Sequence, residues 1–268
     1  MSRPLSVTFE RAKAASRIVL VGYLPAGFPE PGRFAGVVQE AAACGLDVLE
    51  LGLPVDDPFL DGPVIRQALE WQRQRGIGLD EALALGREAR QASGLPVVVM
   101  GYASQLGAFT SVLDLVYKVA SCGLDGLLLP DLDPGALSRL VSTVQSKGLG
   151  IVGFASASEG EDGLLHVLDT CQATSGFVYL QSAAPHSGGV IDLTATSCAL
   201  RRVLSLRGAR KVPVAVGFGI HEPTQVAALR RMGADGVAVG TALVKAASDL
   251  GRLKDLVSSL AAAAGVEG

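Results

Sequence analysis

The sequence predicts an α/β fold, a single (β/α)8 TIM barrel with a parallel eight-stranded core, on three observations. Eight short blocks rich in Val, Ile and Leu recur along the chain, and segments of helical composition separate them. The blocks are nearly continuously apolar, which is typical of parallel strands covered by helices on both faces. A length of 268 residues suits one such barrel, and no linker divides it, so we expect one domain over residues 1–268.

The apolar blocks are the predicted strands in chain order. They cover residues 18–23, 47–53, 97–102, 126–130, 150–154, 177–181, 214–218 and 236–240. The predicted helices between them cover residues 33–44, 82–92, 109–122, 135–146, 163–171, 194–206 and 222–232. A doubly wound open sheet is the alternative, but Tyr23-Leu24-Pro25-Ala26-Gly27 after the first block lacks the Gly-x-Gly-x-x-Gly typical of that fold.

One phrase recurs where a predicted helix passes into a predicted strand. It stands at Cys44-Gly45-Leu46-Asp47, Cys122-Gly123-Leu124-Asp125 and Met232-Gly233-Ala234-Asp235. The glycine is the residue that most often ends a helix, and the aspartate favours a tight turn before the strand. The phrase therefore indicates one βα unit used several times.

Composition excludes several classes of function. The chain has 23 Lys and Arg against 26 Asp and Glu, a net charge of −3, and this balance argues against a surface for nucleic acid. The chain is 49% hydrophobic, yet no apolar run approaches the length of about 18 residues that predicts a membrane helix, so we expect no membrane partner. The N-terminus lacks the apolar core of a signal peptide, and we therefore expect a cytoplasmic protein.

The cysteines indicate neither disulfides nor a metal site. Cys44, Cys122, Cys171 and Cys198 are far apart, no Cys-x-x-Cys occurs, and only three histidines accompany them. We interpret all four as reduced thiols in the core.

Glu50 is the sharpest candidate for catalysis. It interrupts the apolar run Val48-Leu49-Glu50-Leu51, where a charged group in a packed sheet is unfavourable by several kcal/mol unless it is paired or neutralised. If Glu50 points into the barrel mouth, its apolar surroundings raise its pKa, which suits a general acid or base near neutral pH. A buried salt bridge is the structural alternative.

The loop after this strand carries three more carboxylates, Asp56, Asp57 and Asp61, among three prolines. Turn formation explains Asp56 and Asp57 at least as well as a function does, and Asp61 before Gly62-Pro63 is open between the two. Glu50 and Asp61 together would place two carboxylates in different settings at one barrel mouth, which is how acid and electrostatic roles are separated.

Tyrosines stand near the ends of three predicted strands. Tyr23, Tyr102 and Tyr179 are predicted to close strands one, three and six and favour a pocket wall, with a cap over the barrel core as the alternative. Tyr117 lies in a predicted helix. Asp131 also follows a strand, but its Asp-x-Asp-Pro sequence is a turn and helix-start signal, and we interpret it as structural.

Glycine-rich segments follow the last three strands. They are Ser187-Gly188-Gly189, Gly217-Phe218-Gly219 and Gly240-Thr241. Loops after strands seven and eight often bind phosphate in such barrels, because backbone N–H groups can approach an anion where no side chain intrudes. The sequence therefore predicts a small phosphorylated ligand.

At this point the motifs resemble the tryptophan synthase α-subunit family, which cleaves indole-3-glycerol phosphate. The matching segments cover nearly the whole chain in order. They are Leu49-Glu50-Leu51-Gly52-Leu53-Pro54, Asp57-Pro58, Asp61-Gly62-Pro63-Val64-Ile65, Met100-Gly101-Tyr102, Gly126-Leu127-Leu128-Leu129-Pro130-Asp131-Leu132, Gly176-Phe177-Val178-Tyr179, Gly217-Phe218-Gly219-Ile220 and Gly240-Thr241-Ala242.

The resemblance implies a carbon–carbon lyase that needs no cofactor and releases indole and glyceraldehyde 3-phosphate. It implies that Glu50 is the acid/base that protonates C3 of the indole ring, and that Asp61 binds the ring N–H and stabilises the indoleninium cation. We expect the substrate to contact Tyr23, Tyr102, Tyr179, Ser187 and Phe218. We expect its phosphate to bind Gly188, Gly219, Gly240 and Thr241.

The chain departs from the family in four places. Pro54-Val55-Asp56-Asp57-Pro58 replaces Pro-Phe-Ser-Asp-Pro, and Ala103-Ser104-Gln105 stands where Tyr-Asn-Pro is common. Both regions touch the β subunit in the family, so that partner stays an open question. The loop after strand six, residues 183–188, has Ser187 for a threonine and lacks an arginine, and Phe28 replaces an acidic residue.

Three hypotheses follow. The first is the lyase, in tryptophan or indole-derived biosynthesis; the second is a paralogue that performs aldol or retro-aldol chemistry on another phosphorylated substrate. The third is a non-catalytic partner that activates another enzyme, against which the retention of Glu50 and Asp61 argues.

Overall fold

In the computed structural model, which describes residues 5–106, 110–182 and 188–265, eight parallel strands close into one barrel in chain order. The strands are β1 Val19–Pro25, β2 Val48–Gly52, β3 Val97–Met100, β4 Gly126–Leu128, β5 Gly150–Ala155, β6 Phe177–Gln181, β7 Val214–Gly217 and β8 Gly236–Val239. Each strand pairs with the next, and β8 returns to β1 with Gly236 opposite Val19. The predicted (β/α)8 barrel is confirmed.

Helices surround the barrel and bury one face each against it. In the described residues they are α1 Leu5–Ala14, α2 Pro31–Ala43, α3 Pro63–Gln74, α4 Leu79–Ser93, α5 Ala103–Leu106, α6 Val112–Ser121, α7 Pro134–Ser146, α8 Glu161–Thr174, α9 Leu193–Arg207, α10 Pro223–Arg231, α11 Thr241–Ala246 and α12 Leu250–Ala264. The seven predicted helices correspond to α2, α4 and α6 to α10. The sequence analysis did not predict α1, α3, α5, α11 and α12. At α3 and α11, Gly62-Pro63 and Gly240 at the start of the helix were interpreted as loop.

Two tyrosines lie differently from the prediction. Tyr23 does not close the first strand, because β1 continues for two residues that pair with Leu51 and Gly52 of β2. Tyr102 lies in the loop two residues after β3, which ends at Met100. Both side chains are buried at the carboxyl ends of the strands.

The recurring helix-to-strand phrase builds the amino-end face of the barrel. Each glycine of the phrase has a positive φ, which only glycine adopts readily, and each aspartate binds an arginine. The pairs are Arg17–Asp47 at 2.8 Å, Arg90–Asp125 at 2.7 Å and Arg207–Asp235 at 2.6 Å. Each carboxylate also accepts a 2.9 Å hydrogen bond from a backbone N–H near the start of the preceding strand. The repeat therefore stabilises the face opposite the site.

The cysteine prediction is right about disulfides and wrong about burial. All four thiols are free, but only Cys171 is in the core. Cys44 and Cys122 are half-buried at helix C-termini, and Cys198 is exposed on α9. Short apolar neighbourhoods in the sequence do not reveal which face of a helix a cysteine occupies. No helix in the described ranges has the length and apolarity needed to cross a membrane.

Candidate active site

A cavity of about 500 Å³ opens at the carboxyl ends of the strands. Every described residue that the sequence analysis placed in the site lines this cavity. They are Tyr23, Glu50, Asp61, Tyr102, Tyr179, Gly188, Phe218, Gly219, Gly240 and Thr241. Ser187 lies outside the described residues. Barrel closure therefore brings residues from six different strand ends, those of β1, β2, β3, β6, β7 and β8, to one site.

Glu50 is in the middle of β2, with its side chain inside the barrel and only 6% of the residue exposed. Its neighbours Leu49 and Leu51 point to the other side of the sheet and are fully buried, as the alternation of a strand requires. Burial, and secondarily the charge of Asp61, raise the pKa of Glu50 to about 8. Glu50 is therefore mostly a neutral acid at neutral pH and can donate a proton.

Asp61 lies in the loop between β2 and α3 and is 7% exposed. The hydroxyl of Tyr102 donates a 2.7 Å hydrogen bond to its Oδ2 atom. Its backbone is held as well, since its N–H donates to Pro58 O at 2.9 Å and its carbonyl accepts from Arg66 Nε at 2.6 Å. Burial and the charge of Asp61 raise the pKa of Tyr102, which keeps this phenol a hydrogen-bond donor.

Two further tyrosine rings fill the barrel mouth because glycines leave room for them. A Cβ atom on Gly52 would lie 2.3 Å from the Tyr23 hydroxyl oxygen, and one on Gly217 would lie 2.0 Å from that of Tyr179. Burial is the main cause that raises the pKa of both phenols, followed by the two carboxylates. Within residues 5–106, 110–182 and 188–265, the buried Tyr23 hydroxyl has no hydrogen-bond partner, so it is available to a ligand.

Three aromatic rings form a wall of the same cavity. The Phe154 and Tyr179 rings are stacked with centroids 5.9 Å apart, and the Phe218 ring stands edge-on to Tyr179 at 6.1 Å. Phe218 also has a φ of 75°, which is unusual for a residue with a side chain and marks a strained turn beside the site. Such a wall fits a flat aromatic ligand.

The glycine-rich loops meet at the cavity as well. Gly188 and Gly219 have φ values of 78° and 72°, and a Cβ on Gly188 would meet Thr241 Oγ1 at 2.9 Å. Thr241 Oγ1 is buried and has no hydrogen-bond partner among the residues that the structure describes. Backbone N–H groups without intervening side chains, together with this hydroxyl, form a cradle suited to a phosphate group.

The sequence analysis missed some residues that line the cavity. Phe154 closes the predicted fifth strand, so the strand-end rule that selected the tyrosines could have found it. Lys245 and Arg252 border the same cavity from α11 and α12, which were not predicted. Their positive charges would attract a phosphorylated ligand.

The remaining loop carboxylates have structural positions. Asp131 accepts hydrogen bonds from the backbone N–H groups of Ala103 and Ser104 at 2.6 and 2.9 Å, which confirms its structural interpretation. Asp56 and Asp57 are exposed and do not line the cavity. Within the described part of the chain, no three His, Cys, Asp or Glu residues are grouped so as to hold a metal ion.

Comparisons with known proteins agree with one another. The family model described as "Tryptophan synthase alpha chain" matches residues 9–265. A tryptophan synthase alpha chain of Xylella fastidiosa is 36% identical over 90% of this chain and 88% of its own length. One of Thioalkalivibrio sulfidiphilus is 34% identical over 91% and 89%.

Solved structures of tryptophan synthase are also similar to this chain. A chain of Mycobacterium tuberculosis tryptophan synthase superposes with a TM-score of 0.87 at 29% identity, with both chains fully covered. The alpha subunit of tryptophan synthase from Legionella pneumophila superposes with a TM-score of 0.84 at 27% identity over 99% of each chain.

Proposed function

The chain belongs to the tryptophan synthase alpha chain family, and from this premise we propose how its cavity performs the reaction. It is a lyase of tryptophan biosynthesis that cleaves indole-3-glycerol phosphate to indole and glyceraldehyde 3-phosphate. The roles of the residues are assigned from two buried carboxylates in unlike environments. Glu50 is neutral, and Asp61 accepts a hydrogen bond from the Tyr102 hydroxyl.

Glu50 is the proposed acid/base. With a pKa of about 8, it holds its proton in most molecules at neutral pH and transfers it to C3 of the indole ring. The bond between C3 and the glycerol carbon then breaks, its electrons return to the ring, and the hydroxyl of that carbon becomes the aldehyde. The Glu50 carboxylate accepts the hydroxyl proton, so the acid is restored for the next turnover.

Asp61 is the proposed acceptor for the ring N–H. Protonation at C3 places a positive charge on the ring nitrogen, and the buried carboxylate of Asp61 beside that nitrogen would stabilise the charge. The hydrogen bond from Tyr102 orients Asp61 for this role. The aromatic wall of Phe154, Tyr179 and Phe218 would hold the indole ring flat between the two carboxylates.

The phosphate end of the substrate would bind the glycine cradle. Gly188, Gly219 and Gly240 line the cavity, and the Thr241 hydroxyl, which binds no other described residue, can donate to a phosphate oxygen. Lys245 at the border of the cavity adds attraction for the anion. We also propose Ser187, beside Gly188, as a substrate contact.

A β-subunit partner follows from family membership, since the relatives are alpha chains of tryptophan synthase. We propose that the exposed loop with Asp56 and Asp57 contributes to that contact. A rise in the rate of indole release on addition of a tryptophan synthase β subunit would support the proposal, and no change together with no co-elution would contradict it.

The deciding experiment is an indole assay on the purified chain. Indole-3-glycerol phosphate is supplied, and wild type is compared with Glu50→Gln and Asp61→Asn. The control is Glu40→Gln, because the Glu40 carboxylate of wild type pairs with Lys254 on the surface. We expect the two site variants to lose about 10² to 10⁴ in kcat and the control to match wild type. Indole formation by the site variants at the wild-type rate would refute the assigned roles. Turnover of only non-indole phosphates would favour a paralogue.

A further inference from the structure

We propose that Gln105 is a positioning residue that holds the loop of Asp61 in its working conformation. The proposal rests on the role of Asp61 given above. Gln105 does not line the cavity, so it would act on the reaction only through the loop.

The side chain of Gln105 binds three backbone groups of that loop. Its Oε1 atom accepts hydrogen bonds from the N–H groups of Asp56 and Asp57, both at 2.9 Å. Its Nε2 atom donates to the carbonyl of Asp57. A side-chain amide is both donor and acceptor, so it can satisfy N–H and C=O groups of one turn at once.

Gln105 is itself fixed to the barrel. It lies on the short helix α5, whose first two N–H groups, those of Ala103 and Ser104, donate to the carboxylate of Asp131. Asp131 follows β4, so the helix is tied to the end of a neighbouring strand. The loop is therefore held to the rigid sheet through α5, since Gln105 joins the helix to the loop and Asp131 joins it to the end of β4.

The held segment leads directly to Asp61. The carbonyl of Asp57 also accepts from the N–H of Phe59 at 3.0 Å, and the carbonyl of Pro58 accepts from the N–H of Asp61 at 2.9 Å. On the other side, Tyr102 immediately precedes α5 and donates to the Asp61 carboxylate. One short segment, residues 102–105, thus fixes both the backbone that leads to Asp61 and its carboxylate.

This arrangement links two of the departures from the family pattern. Asp56 and Gln105 both stand at places where the chain departs from the common sequence, and the structure places them in contact. Every group in the network belongs to this chain. The test therefore uses the isolated protein.

The test compares wild type with Gln105→Met, which keeps the length of the side chain and removes its hydrogen bonds, and with Gln105→Glu, which keeps the acceptor. The matched control is Gln145→Met, because Gln145 also bonds a backbone carbonyl, that of Ala173, but far from the cavity. Indole formation gives kcat and KM, thermal denaturation gives Tm, and hydrogen exchange reports the amides of residues 55–61.

For Gln105→Met we expect kcat to fall about ten- to hundredfold, since misplacement of a catalytic group by about 1 Å has effects of that size. We expect KM to stay within about twofold and the Asp56 and Asp57 amides to exchange faster, because they lose their acceptor. Gln105→Glu should recover part of the exchange protection and of kcat, and Gln145→Met should leave both at wild-type values.

Unchanged exchange in Gln105→Met, or an unchanged kcat, overturns the proposal. A parallel loss of kcat and Tm in both glutamine variants also overturns it, because that result indicates general destabilisation. If the wild type forms no indole, the proposed function fails, and the exchange comparison then decides alone whether Gln105 holds the loop.

Discussion

Replacement of Glu50 by glutamine should change how the stability of the protein depends on pH. The folded state keeps a proton on Glu50 up to about pH 8, whereas the unfolded chain releases it near 4.5. The stabilising contribution of that proton is complete below the unfolded pKa and is lost as pH rises through the folded one. With about 1.4 kcal/mol for each pH unit, the free energy of unfolding of wild type, relative to Glu50→Gln, should fall by about 4 kcal/mol between pH 5 and 9.

Urea denaturation of both proteins at five pH values measures this difference directly. Other ionisable groups largely cancel, because the two chains share them. In Asp61→Asn, the decrease in the free energy of unfolding should be complete at a lower pH, because the charge of Asp61 no longer raises the pKa of Glu50. Burial still keeps the pKa of Glu50 above its ordinary value. A difference between wild type and Glu50→Gln that stays flat from pH 5 to 9 would refute a neutral buried Glu50, and with it the proton donor of the mechanism.

Three further substitutions test other parts of the structure. Tyr102→Phe removes the hydrogen bond to Asp61. The kcat for indole formation should fall about ten- to hundredfold, with little change in Tm. An unchanged kcat would contradict the proposal that Tyr102 orients Asp61. Gly217→Ala places a methyl group 2.0 Å from the Tyr179 hydroxyl, so the Tyr179 ring must move into the cavity. The KM for indole formation should therefore rise about tenfold. A wild-type KM would show that the ring can move without entering the cavity. Asp125→Ala removes the carboxylate that pairs with Arg90. Urea denaturation should show a free energy of unfolding that is lower by about 3 to 5 kcal/mol. A loss below about 1 kcal/mol would mean that water compensates for the lost ion pair.

The fold was largely predictable because its signals are local. A buried parallel strand needs an apolar block wherever it lies in the chain, so the blocks alone locate β1 to β8 to within a few residues. The proposed catalytic pair could also be found from the sequence. Glu50 is conspicuous because a carboxylate in an apolar strand requires a reason, and Asp61 was recognised through the motif it belongs to.

The helices at the functional loops were less accessible. α3 and α11 begin at Gly62-Pro63 and Gly240, where the same residues that start a helix also form turns. Lys245 lies on α11 and was missed for that reason. Phe154 was missed although it closes a predicted strand, because an apolar residue there does not differ in type from the core around it.

The sequence by itself determined the strand blocks of the barrel, the carboxylate within an apolar strand and the separate glycine-rich loops, since each of these depends on residue types within a few positions of one another. Only the tertiary structure decided the contacts between Tyr102 and Asp61, between Gln105 and the loop at Asp56, and between Arg90 and Asp125. Their partners are 41, 49 and 35 residues apart in the chain. No local pattern relates such residues, because they meet only when strands distant in sequence become neighbours in the closed barrel.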